Sequence, residues 1–129
     1  MVWMVLIYGD IMKSIDFGKA KYLITEYCYD YQYPQYSGIV CIGCDSKQEV
    51  FQYFTEQLNI ITDSYLEEDL QQIVDGTEDL DIVLDMLRNG QVITNLGMIA
   101  GFLDIFSEGD SCAFRITDDE GKVWFSYKC

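Results

Sequence analysis

Between Gln48 and Leu87 the chain carries eleven carboxylates, Glu49, Glu56, Asp63, Glu67, Glu68, Asp69, Asp75, Glu78, Asp79, Asp81 and Asp85, and no lysine or arginine. Any fold this chain adopts must keep a segment of charge −11 in contact with water, because carboxylates without counterions are too costly to bury. Leu, Ile, Val and Phe interleave the acids, so the segment also has the side chains needed to fold. Their spacing is helical. Val50, Phe51, Phe54 and Leu58, with Ile61 just beyond, make one apolar face. Leu66, Leu70, Ile73 and Val74 make a second, and Leu80, Val83, Leu84 and Leu87 a third.

Helix boundaries are written in the same stretch. Ser46-Lys47-Gln48-Glu49 is a capping box, with the Ser46 hydroxyl accepting from the Glu49 amide and the Glu49 carboxylate reaching back to the Ser46 amide. The pattern recurs at Ser64-Tyr65-Leu66-Glu67 and predicts the start of a second helix that stops at Gly76. Thr77 caps a third, which Gly90 ends. Val92 to Phe106 holds one charge, Asp104, and its apolar residues Ile99, Leu103 and Phe106 predict a buried central helix. Gly97 and Gly101 within it would let another element approach closely, each at a cost of about 1 kcal/mol in helix propensity.

The two ends of the chain read as strands. Val2 to Tyr8 is a short apolar run without a basic leader segment, too short to span a bilayer. Met12-Lys13 offers a second reading of the start, since codons for Gly9-Asp10-Ile11 can spell a ribosome-binding site; sequencing the native N-terminus tests it. Tyr27, Tyr29, Tyr31 and Tyr33 alternate with Glu26, Cys28, Asp30 and Gln32, a period of two that means strand, with the tyrosine side favoured as the packed one. Pro34 breaks this strand, and Ile39-Val40-Cys41-Ile42 returns as its hairpin partner. Cys112 to Thr117 and Val123 to Tyr127 flank a turn at Asp118-Asp119-Glu120-Gly121, with Val123, Phe125 and Tyr127 on one face. The expectation is a single α+β domain over 1–129, with a small antiparallel sheet, built from N-terminal strands and a C-terminal hairpin, packed with a central run of about four helices.

Charge and absence limit the function classes. A net charge of −14 repels nucleic acid and anionic lipid, so neither is expected as a direct partner. Histidine is absent, which removes the commonest general base and the commonest zinc ligand. No phosphate-binding loop, nucleophile elbow or calcium loop is present. Neither a metal nor a cofactor is expected, and the chain does not read as an enzyme. Five cysteines at irregular spacing point to free thiols in a reducing cytosol.

Cys41-Ile42-Gly43-Cys44 before a helix has the spacing of a redox dithiol, and a thiol-dependent enzyme using Cys41 or Cys44 is one alternative. Small buried thiols are the plainer account. The carboxylate sets Asp79 with Asp81, and Asp118 with Asp119 and Glu120, fit a helix start and a hairpin turn as well as they fit hydrolytic chemistry. The acid block itself departs from a solubilising surface, which mixes signs to gain pairs one helical turn apart.

A basic protein partner is therefore expected. In size, acidity and lack of catalytic residues the chain resembles toxin immunity proteins, which implies occlusion of the positive cleft of a nuclease-type toxin in the cytoplasm. Asp63, Glu67, Glu68, Asp69, Asp75, Glu78, Asp79, Asp81 and Asp85 would supply the charge, and Tyr29, Tyr31 and Tyr65 the anchors. A phage or mobile-element protein that imitates DNA to block a restriction or interference enzyme is the other alternative.

Overall fold

The structure, a computed structural model, describes residues 3–8, 11–12, 20–29, 38–106 and 111–128. It is an α+β fold with strands β1 (Trp3–Tyr8), β2 (Ile11–Met12), β3 (Tyr22–Tyr29) and β4 (Gly38–Cys44). Helices α1 (Lys47–Asp63), α2 (Glu67–Val74), α3 (Glu78–Arg88) and α4 (Leu96–Phe106) come next, and β5 (Ser111–Asp118) and β6 (Val123–Lys128) end the chain. Contacts group it into two compact units, one of residues 1–50 with 107–129 and one of residues 51–106.

The first unit is a six-stranded sheet in the order β2-β1-β4-β3-β5-β6, antiparallel throughout. Its register aligns Ile42, Ile24 and Ile116 across β4, β3 and β5, and all three are fully buried. Alternation then sends Leu23, Thr25 and Tyr27 of β3 the other way. Tyr27 lies on that second face, 43% exposed, opposite the exposed Ile39. The tyrosine side expected to pack is thus the open side at this position. Ile24 decides the orientation, since a β-branched residue with buried neighbours on both adjacent strands fixes which face is inward. Tyr29 pairs with Ser111 in the ladder, and Tyr31 lies outside the described residues.

A register shift in the last hairpin corrects a second expectation. Ile116 pairs with Phe125 but Thr117 pairs with Val123, so Trp124 is the extra residue of a bulge. The bulge puts Val123 opposite an outward residue, and it is 49% exposed. Phe125 and Tyr127 keep their rings on Phe114, each with centroids 5.6 Å away. Asp118 shapes the turn, accepting from the amides of Glu120 and Lys122 at 3.0 and 2.8 Å, and Gly121 supplies the positive φ.

In the second unit Phe54 and Leu58 of α1, Leu70 and Val74 of α2, Leu80, Val83, Leu84 and Leu87 of α3, and Ile99, Phe102 and Phe106 of α4 are buried. The end of α3 is a Schellman motif. Gly90 at φ +69° donates to the Leu87 carbonyl and Gln91 to that of Met86. The segment 92–95 is not helical, so the predicted central helix begins late. Three β-branched residues, Val92, Ile93 and Thr94, resist helix formation, and Asn95 caps α4 by accepting from the Met98 amide at 3.1 Å. Nor is α4 buried all round: Gly97, Gly101, Asp104 and Ile105 are exposed.

Candidate functional site

Residues 51–106 contain eleven carboxylates and a single cation, Arg88, a net charge of −10. How those charges are disposed decides what the helical unit can bind. Asp63, Glu67, Glu68, Asp69, Asp75, Glu78, Asp79 and Asp85 are exposed, and Asp81 is half-buried. Six of them occupy helix first turns, Glu67, Glu68 and Asp69 on α2 and Glu78, Asp79 and Asp81 on α3. There they face the positive end of the helix dipole, which offsets part of their mutual repulsion.

Arg88 lies one position beyond the acid stretch and spans α2 and α3. Its guanidinium pairs with Glu67, reaches Asp85 at 3.5 Å, and donates to the Gln71 side-chain oxygen at 3.0 Å. The Gln71 amide nitrogen in turn donates to Asp75 at 3.0 Å and to Asp81 at 3.2 Å. One cation and one amide therefore hold four of the nine expected charge residues. This corrects the expectation of an entirely unpaired block. In sequence Arg88 stands outside the block, but a helix end folds back on the start of its neighbour. Glu68, Asp69, Glu78 and Asp79 remain with no cation paired to them among the described residues. Asp63 lines a hollow of about 120 Å³ with Glu67 and Arg88.

Apolar side chains stand exposed among these acids. Ile82 on α3 is 40% exposed, and its neighbours one turn away are Glu78, Asp79, Asp85 and Met86. Ile73 on α2 is comparably open, and Leu66 is 73% exposed. The helical period puts Leu66 and Ile73 inward, and both are corrected here. Leu66 is an extended N-cap residue and not part of the helix, so the face of α2 begins at Leu70. Ser64 does not open α2 either, because its hydroxyl donates back to the Ile61 carbonyl at 2.6 Å and closes α1. Thr77 occupies the N-cap of α3 without a side-chain cap bond. The first box forms only in half: the Glu49 amide donates to Ser46 Oγ at 3.2 Å, but the Glu49 carboxylate accepts from the Asp45 amide rather than from that of Ser46.

Of the expected anchors, Tyr65 is half-buried with its ring edge-on to Phe106 at 5.3 Å, a packing role. Ile73 and Ile82 are the exposed isoleucines of α2 and α3. Their signal is present in the sequence: Ile82 falls outside the Leu80-Val83-Leu84-Leu87 stripe and has three acids one turn away.

The two thiols of the CxxC pattern lie in the last half of β4, just ahead of α1 as expected. Residues three apart in a strand project to opposite faces, so Cys41 and Cys44 are not presented as a dithiol. Cys44 is fully buried, and burial, reinforced by the negative charge of Glu49, pushes its thiol up to about 11. A nucleophilic cysteine needs the opposite shift. Asp79 and Asp81, two apart on a helix, diverge, and only Asp81 turns toward Gln71. Among the described residues no three His, Cys, Asp or Glu side chains gather as a metal centre requires, and no helix is long and apolar enough to cross a membrane. No protein-family model, curated protein or solved structure matches the chain at a significant level.

Proposed function

We propose that this chain is a small acidic inhibitor, the immunity partner of a nuclease-type bacterial toxin, acting in the cytosol by filling the toxin's basic cleft. The observation that carries the reading is the helical unit, in which a net charge of −10 surrounds exposed isoleucines and only one cation is present. Solubility alone does not require apolar side chains ringed by like charge. An interface does, since desolvated apolar anchors give the affinity and the surrounding charge gives steering and choice of partner. A nuclease must hold phosphates in a positive cleft, and carboxylates of α2 and α3 can occupy it without chemistry.

The test is capture from the native lysate at low ionic strength, with elution by salt and assay of the eluate for nuclease activity. A basic nuclease that regains activity on elution supports the reading. Its loss from the capture by a Glu68→Lys, Asp69→Lys, Glu78→Lys, Asp79→Lys variant assigns the face. Recovery of a restriction or interference enzyme would instead favour imitation of DNA, and equal capture by the charge-reversed variant would end both.

A further inference from the structure

Gly101 sits in the middle of α4, on its exposed side, and a Cβ built there would meet no described atom within 4 Å. Its φ is not in the left-handed region, so no backbone requirement calls for glycine either. A mid-helix glycine costs stability relative to alanine, and nothing described within the chain recovers that cost. Gly97 differs, because a Cβ there would press on the capping oxygen of Asn95 at 3.3 Å. The two glycines, one turn apart, floor a groove of about 450 Å³ between α4 and the start of α3, whose walls include Leu80, Met98 and Ile105, with Asp79 at its lip. Asp79 and its neighbour Glu78 are exposed.

We infer that this groove receives the apolar face of a lysine- or arginine-bearing helix of the partner, an inference that rests on the inhibitor reading and locates its contact. A glycine floor lets a second helix approach more closely than any side chain would permit, and the apolar walls take its leucine-like residues. Charge complementarity selects the occupant: Asp79, Glu78 and the −10 field of the unit attract a cationic helix and repel an acidic or lipid surface. The device is a small-residue floor for shape and carboxylates at the rim for sign.

The experiment is an NMR amide titration of the isotope-labelled full chain with two probes, a helix-forming lysine and leucine peptide with one apolar face, and an oligolysine of equal charge. The mixed peptide is expected to shift the amides of Gly97, Gly101 and Ile105 and to bind about ten-fold more tightly than oligolysine, the worth of burying roughly one apolar side chain. Gly101→Met should remove that advantage while leaving oligolysine binding unchanged. Gly101→Ala should raise Tm by about 2–4 °C. If Gly101→Met fails to fold, Ile105→Ser is read in the same way. Equal binding of both peptides, or indifference to the substitution, overturns the groove but leaves the acidic face standing. A lower Tm for Gly101→Ala also overturns it, because the chain's own packing would then be using the glycine. Failure of both peptides to bind at low salt removes the acidic-face reading as well.

Discussion

The side-chain oxygen of Thr55 accepts the amide hydrogen of Ile93 at 2.9 Å, a buried bond between residues 38 positions apart. Ile93 belongs to an irregular segment, so its N–H has no helical or sheet partner, yet its side chain is 1% exposed. The hydroxyl of α1 therefore lets this segment enter the apolar interior of the helical unit. Thr55→Val keeps the shape and strands the amide, and should lower stability by about 1–3 kcal/mol. Thr55→Ser, which keeps the acceptor, should cost less. Urea unfolding midpoints with unchanged slope measure both; a Thr55→Val protein as stable as the parent would mean the bond contributes nothing.

Two residues apart on α3, Leu84 and Ile82 allow folding and the proposed binding to be tested separately. Leu84 is buried and Ile82 is the isoleucine ringed by carboxylates. Leu84→Ala should cost about 2–5 kcal/mol through the cavity it leaves. Ile82→Ser, at a side chain 40% exposed, should cost about 1 kcal/mol, less than Leu84→Ala, while weakening capture of the basic partner. Thermal unfolding and the salt-elution assay read the two effects separately. A large loss of stability at Ile82 would make it a core residue and not an anchor.

What the sequence reveals depends on whether one physical signal acts alone. The apolar stripe of α3 and the two glycine stops are legible residue by residue, because a helical period and a positive φ each have one answer. Five of the strands are legible too, although the two-residue β2 and the sheet order β2-β1-β4-β3-β5-β6 are not, since these depend on pairings between segments. Errors arise where two signals compete. Ser64 can cap the helix after it or close the helix before it, and it does the latter. Tyr27 fits the packed or the open face of a sheet equally well until Ile24 claims the inside. At the candidate site the acids themselves are legible and their partners are not. Arg88 sits 21 residues from Glu67, and no local pattern announces a pair of that separation.

Arg88 also yields a prediction about self-repulsion. It is the single cation of the helical unit, and its pairs with Glu67 and Asp85 lie at the surface. An exposed pair contributes little, so Arg88→Ala should lower stability by under about 1 kcal/mol in dilute buffer. The difference should shrink as salt is added, because screening relieves the repulsion among the carboxylates left behind. The same substitution makes the unit more negative and should speed association with oligolysine at low salt. A destabilisation that persists in high salt would show that the Arg88 side chain acts through packing.

Cys44 makes stability depend on alkaline pH. Its thiol is held at about 11 by burial and by the nearby charge of Glu49, against an ordinary value of 9.0. The unfolded chain thus releases this proton at lower pH than the folded one does. Below pH 9 both states are protonated and the contribution is constant; between about pH 9 and 11 the unfolded state gains by ionising and the fold loses stability. A shift of this size is worth on the order of 2–3 kcal/mol once pH exceeds both values. Denaturation midpoints from about pH 8 to 11 should fall more steeply for the parent than for Cys44→Ala, which has no proton to lose. Alkylation tests the same physics without unfolding: at neutral pH the Cys44 thiol should react far more slowly than a free cysteine. Rapid labelling of Cys44 at neutral pH would mean its thiolate is accessible, and would restore the thiol-enzyme alternative.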